Sequence, residues 1–242
     1  LFSRLTETPK LKGIDFPVLI PNLKGLEKAL KVKADFFSLL TATSETFSQR
    51  NINADISESI QRISRIMERL GPSSKSRLRV YISTVFGCPY EGKMERPYQL
   101  MNVLEKLLDI GVKEVALGDT IGVANPKQVD LFLREVSKVM DLSYVALHFH
   151  DTWSLALPNI LAGLERGVRI YDASAAGLGG CPYADGATGN VATEDVVYLM
   201  HSLGLKTGID LELLAHASSF ILEKVGSSGH SKVYQALQNK NR

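Results

Sequence analysis

The chain is poor in cysteine and tryptophan, with Cys88, Cys181 and a single Trp among 242 residues. Two thiols are too few for a disulfide framework, so a reducing compartment is expected, although one bridge between them stays open. No apolar run approaches the roughly 20 residues that cross a bilayer, so no membrane partner is expected. Neither sign of charge dominates: 28 Lys and Arg against 26 Asp and Glu leave a net +2. That balance argues against a general nucleic-acid binder. No low-complexity stretch divides the chain, and no signal or transit peptide is visible. Leu1 stands where an initiator Met would be, so the chain is expected to start inside a longer polypeptide, and its targeting is not readable. No G-x-G-x-x-G follows the first strand pattern, which disfavours a dinucleotide fold.

What is present is 45% hydrophobic sequence, enough for one α/β core. Six short apolar runs read as strands: Pro17–Pro21, Phe36–Thr41, Leu78–Val85, Glu114–Leu117, Tyr144–His148 and Val168–Ala173. Each is apolar almost throughout, as parallel strands buried on both faces require. Helical patterns lie between them with legible ends. Asp55 precedes a helix that stops at Gly71, with Glu58 three residues into it. Asn125-Pro126 opens another, and two more end at Gly111 and Gly167, with Pro158 in the first turn of the second or kinking it. Further helices are expected after Thr193 and Asp210. Such alternation leaves an open doubly wound sheet or a closed (β/α)8 barrel, and a barrel needs two more strands than the six counted.

Polar residues collect at the ends of these runs: Asn22, Ser44 and Glu45, Asp119 and Thr120, His148, His150 and Asp151, then Asp172 and Ser174. In a barrel such ends share one rim, where active sites lie. In "VALHFHDT" the side chains alternate, so His148 and His150 share a face and Phe149 takes the other. The two imidazoles are either metal ligands or hydrogen-bonded rings filling the barrel mouth. A metal site needs a third ligand, for which Asn190 is the best candidate; an amide oxygen beside two imidazoles suits Mg²⁺ or Mn²⁺. The loop of residues 177–190 holds five glycines around Cys181, which is either a reactive thiol or a buried inert one. Cys88, in a second GCPY tetrapeptide, reads as a structural thiol under a turn. Asp119 is either a rim acid or base, or a helix N-cap. His201, His216 and His230 are expected to face solvent or to pack.

The stretches PNLKGLEKAL, SETFSQRNIN, GCPYEGK, LGDTIGVANP, HFHDTWSLALPNI and GLGGCPYADGATGNVATED together resemble 3-hydroxy-3-methylglutaryl-CoA lyase, in order and spacing, from about residue 17 to the C-terminal helices. The family is a TIM barrel in a metal-dependent superfamily that includes isopropylmalate and homocitrate synthases. Those synthases usually carry Glu-Arg where this chain has Cys181-Pro182, so the loop points to the lyase branch.

The resemblance implies an α/β fold, a (β/α)8 TIM barrel with its first two strands absent from this chain, plus a C-terminal helical extension over about residues 205–242. It implies cleavage of 3-hydroxy-3-methylglutaryl-CoA, an acyl-CoA thioester, to acetyl-CoA and acetoacetate with Mg²⁺ or Mn²⁺. By position, His148, His150 and Asn190 would bind the cation. Cys181 would be the catalytic thiol of a loop over the site, His148 would share in proton transfer, Asp119 would belong to the catalytic rim, and Glu194 would support it. A homodimer is expected, in the bacterial cytoplasm or the mitochondrial matrix. The sequence departs from the family pattern by lacking the strand that carries an Arg-Asp pair. It also has Phe149 for Cys, Trp153-Ser154-Leu155 for Tyr-Gly-Gln and Pro158 for Ala, departures expected to bear on the pocket. The alternatives are a related condensing synthase or aldolase, or an inactive barrel remnant with two open sheet edges.

Overall fold

The computed structural model describes residues 2–8, 13–71, 77–180 and 189–240. A short helix α1 (Phe2–Thr6) leads in and sets Phe2 edge-on against Phe16. Strands and helices then alternate through β1 (Val18–Leu19), α2 (Leu23–Lys31), β2 (Phe36–Ala42), α3 (Glu45–Ile52), α4 (Ile56–Leu70) and β3 (Arg77–Ser83). A two-stranded hairpin, β4 (Gly87–Cys88) with β5 (Gly92–Lys93), precedes α5 (Tyr98–Asp109). The alternation resumes with β6 (Glu114–Asp119), α6 (Pro126–Val136), β7 (Val145–Phe149), α7 (Ala156–Glu165) and β8 (Ile170–Asp172). Three helices close the chain: α8 (Thr193–Ser202), α9 (Leu211–Val225) and α10 (Lys232–Lys240).

The main sheet has six strands, all parallel, in the order β1-β2-β3-β6-β7-β8. Each of the six expected strands is present. The curved sheet forms a half-barrel with β1 and β8 at its edges, and every residue of β6, near its middle, is buried. The apolar layer between sheet and helices is continuous, and Phe86, Phe132 and Phe149 stack within it at centroid separations of 5.2 and 6.0 Å.

The predicted caps form for the expected reasons. Asp55 accepts from the Glu58 backbone N–H at 2.7 Å, and Gly71 ends α4 with φ +76°. The Glu58 carboxylate turns outward to Arg62. Asn125 accepts from Gln128 N–H ahead of Pro126, and Pro158 lies in the first turn of α7. Two rim residues prove to be caps as well. Asn22 accepts from Gly25 N–H to start α2, and Ser44 from Phe47 N–H to start α3. Neither helix stands out in the sequence, because α2 carries four lysine or glutamate side chains and α3 is short and polar. Cys88 is buried in the hairpin, where its Sγ donates to Ser44 Oγ at 3.0 Å, so this thiol is structural.

Candidate active site

The C-terminal ends of the parallel strands form one rim, and its hydroxyls tie neighbouring strands together. Thr43, after β2, donates to the Thr84 carbonyl at 2.7 Å, and Thr120 Oγ1 accepts from Thr84 N–H at 2.8 Å. Inside this frame β7 and the residue that follows it deliver His148 and His150 to one face, with ring centroids 5.5 Å apart. Two imidazoles at that spacing can both reach one ion through bonds of about 2.1 Å. Phe149 faces the helix layer against Phe86, so this departure from the family pattern fills the core and does not line the site.

Asn190 arrives from a different part of the chain. Val191 N–H donates to the Phe149 carbonyl and Asp151 N–H to the Gly189 carbonyl, so His150 and Asn190 form an isolated antiparallel bridge. Those two bonds flank the pair, which makes it the close, non-hydrogen-bonded type with adjacent side chains on one face, Cα atoms about 4.5 Å apart. The Asn190 Nδ2 donates to the Leu178 carbonyl at 3.0 Å and thereby fixes the amide. Its Oδ1 is buried and meets no protein donor among the described residues. A buried amide oxygen without a donor is costly, and a cation would satisfy it. The donor set of two imidazoles and one amide oxygen therefore fits a divalent ion. Among the described residues no three His, Cys, Asp or Glu side chains gather into such a group, so Asn190 is needed to complete it.

Glycine makes this approach feasible. A Cβ on Gly189 would lie 2.1 Å from the Gly177 carbonyl oxygen, and one on Gly179, at φ +113°, would lie 2.5 Å from Asn190 Nδ2. Both segments of the loop can cross only because those side chains are missing. Cys181, at the centre of that loop, lies outside the described residues.

The two expected acidic residues are both fully buried and bonded to backbone. Asp119 accepts from Val123 N–H and Ala124 N–H, each at 3.0 Å, and so folds the β6–α6 loop. Burial pushes its carboxyl up to about 6, against the pull of those N–H groups, of Gly122 N–H and of His148. Glu194, in α8, accepts from Ala176 N–H with both oxygens and from Ser218 Oγ of α9. It holds a tight turn at Ala175–Gly177, where Ala176 sits at φ +55°. Both carboxylates are thus engaged in positioning the loops that carry the rim. His201 and His216 are exposed, and His230 is exposed while its N–H bonds the Ala176 carbonyl.

An ionic line inside the half-barrel escaped the sequence reading. Arg79 of β3 is paired with Glu114 of β6, which also binds Arg77, and reaches Asp172 of β8 at 3.3 Å. Asp172 in turn lies 3.4 Å from His148 Nδ1. Burial pushes the Asp172 carboxyl up, but His148, Arg79 and Tyr81 together hold it below the usual carboxylate range. The available signal was Arg79 and Tyr81 two apart between the apolar residues Leu78, Val80 and Ile82, a spacing that puts both on one face.

The HMGL-like family model matches residues 7–221. The mitochondrial hydroxymethylglutaryl-CoA lyase of Gallus gallus is 44% identical over 227 residues, covering 94% of this chain and 76% of that protein. The crystal structure of hydroxymethylglutaryl-CoA lyase from Pseudomonas aeruginosa superposes with a TM-score of 0.91 at 42% identity, covering 99% of this chain and 78% of that one. An HMG-CoA lyase from Acinetobacter baumannii, in complex with coenzyme A and 3-methylmalate, gives a TM-score of 0.90 at 35% identity over 97% of this chain and 75% of that one. By sequence and by fold alike, the chain belongs to the HMGL-like family and is a hydroxymethylglutaryl-CoA lyase-like enzyme.

Proposed function

We propose that the chain cleaves 3-hydroxy-3-methylglutaryl-CoA to acetyl-CoA and acetoacetate, with Mg²⁺ or Mn²⁺ held by His148, His150 and Asn190. The observation that carries this reading is the donorless Asn190 oxygen on the same face as two rim histidines. The coenzyme A bound in the Acinetobacter baumannii relative supports an acyl-CoA thioester as substrate.

A bound divalent ion supplies Lewis-acid stabilisation of the negative charge on substrate oxygen. The rest falls to the protein. A base removes the proton from the tertiary hydroxyl, and the C–C bond then breaks with its electron pair passing to the carbon α to the thioester. The fragment that keeps the hydroxyl oxygen leaves as acetoacetate. Protonation of the enolate carbon gives acetyl-CoA, and Cys181 is the donor or shuttle for that proton, with His148 sharing in the transfer. The glycine-rich loop excludes water from the carbanion. Asp119 and Glu194 act as positioning residues, through the β6–α6 loop and the turn at Ala175–Gly177.

The same reading takes the chain as one barrel domain with a helical extension from about residue 205, assembled as a homodimer through the exposed Leu213 and Phe220 of α9. Sedimentation as a monomer would remove the dimer. Acetoacetate release from the CoA thioester, with and without Mg²⁺ or Mn²⁺, tests the reaction. It should require the ion and fall at least a hundredfold in Cys181→Ala. Full activity in that variant would overturn the role of the thiol, and metal-independent activity the role of the cation.

A further inference from the structure

We infer that Asp172 is a positioning residue for His148: it holds the ring in the Nδ1–H tautomer and leaves Nε2 as the nitrogen with a free lone pair. The consequence for the cation rests on the reading of His148 as a ligand; the tautomer does not.

His148 and Asp172 are register partners on adjacent parallel strands, so their side chains lie beside each other on the inner face. The partner of His148 on its other flank is Gly118, which offers no side chain. Among the described residues, Asp172 is thus the only strand neighbour able to bond the ring. The Nδ1–Oδ2 separation is 3.4 Å, and neither buried atom has another hydrogen-bond partner among the described residues. Two buried polar atoms with no other protein partner among the described residues satisfy each other only if Nδ1 carries the proton, because the carboxylate oxygen can only accept.

The carboxylate is itself held in place. Arg79 Nη1 lies 3.3 Å from the other Asp172 oxygen, although two strands separate β3 from β8 in the sheet. The reach is possible because the inner face of the intervening strands carries Ala116 and Gly118 on β6 and Ala146 on β7. Register fixes this, since Ala116 and Gly118 lie two and four residues from Glu114, and Ala146 two from His148, which puts them all on the inward face. Glu114 pairs with the same guanidinium from below, and Tyr81 meets the imidazole edge-on at 6.2 Å between centroids. The ring is therefore constrained on two sides and its proton is assigned. A metal-bound histidine generally donates its second N–H to such an acceptor, and loss of the acceptor weakens metal binding about 10–100-fold.

Two-bond ¹H–¹⁵N spectra of ¹⁵N-histidine-labelled chain, recorded without metal at a pH where the rings are neutral, test the inference directly. His148 should appear as Nδ1–H, and Asp172→Ala should move it to Nε2–H, the form preferred in water. Asp172→Asn, nearly isosteric, guards against misfolding: it should give a mixed population, while Asp172→Glu should restore Nδ1–H in part. Mn²⁺ titration should show about 10–100-fold weaker binding in Asp172→Ala, with partial recovery in Asp172→Glu. An Nε2–H tautomer in the wild type, or one unchanged by all three substitutions, would overturn the inference. Absence of Mn²⁺ binding to the wild type with the expected tautomer shifts would sink the metal assignment and leave the role of Asp172 standing.

Discussion

His150 and Asn190 face one another as a close antiparallel pair, although one follows β7 and the other lies just before α8. The pairing is built by two backbone bonds, Val191 to Phe149 and Asp151 to Gly189, so it does not need the Asn190 side chain. Asn190→Ala therefore loses one neutral hydrogen bond, to Leu178, and should cost only about 1 kcal/mol in urea denaturation. Mn²⁺ affinity and acetoacetate release should both drop more than tenfold in the same protein. Unchanged Mn²⁺ affinity would remove Asn190 from the ligand set.

Ser154 sits at φ +57° in the turn between β7 and α7, at a position where the lyase pattern has glycine. A left-handed conformation costs an L residue about 1–2 kcal/mol, partly offset by the greater unfolded-state freedom of glycine. Ser154→Gly should raise stability by roughly 0.5–1 kcal/mol and increase the midpoint of thermal unfolding. A lower midpoint would show that the serine hydroxyl contributes more than its backbone costs.

Arg79 joins Glu114 to Asp172 within the buried inner face. Arg79→Met strands both carboxylates and should destabilise the protein by about 3–5 kcal/mol. The double variant Arg79→Met, Glu114→Gln should lose less than the two single effects summed, since one stranded charge is gone. Strict additivity in urea titrations would show that the pair is not coupled.

Asp119, raised by burial to about 6, makes stability fall as pH rises. Below about pH 4 the carboxyl is protonated in folded and unfolded chains alike and its contribution is intact. Between about 4 and 6 the unfolded chain releases the proton first, which favours unfolding, and above the folded value the loss is complete at roughly 3 kcal/mol. Asp119→Asn lacks this proton, so the stability difference between wild type and variant should change by that amount from pH 4 to pH 7. A difference that stays constant across this range would refute the assignment.

The six strands and the site pair were legible because they depend on local pattern. Six apolar runs between capped helices specify an alternation of strands and helices, though not the order of the strands in the sheet, and the alternation through Phe149 places both imidazoles on one face from sequence alone. Asn190 could be named as the candidate third ligand from donor chemistry and again from family likeness, but its approach to His150 follows from glycines whose missing side chains let distant segments cross, which spacing does not reveal. The polar strand ends misled in part. Asn22 and Ser44 spend their side chains on helix starts, and capping and rim chemistry favour the same short polar residues at the same place. The line from Arg79 to His148 was hidden for another reason: its central pair, Arg79 and Asp172, sits on non-neighbouring strands, and curvature of the sheet, which brings them together, leaves no trace in spacing.

That curvature gives unusual weight to side chains with nothing to offer chemically. A valine in place of Ala116 or Ala146 would alter no charge and remove no donor, and an inventory of functional groups would score it as silent. It would nonetheless stand in the path of the guanidinium and part Arg79 from Asp172, a steric veto exercised by residues that never touch the reaction. In this half-barrel, tolerance to mutation is set by vacancy as much as by chemistry.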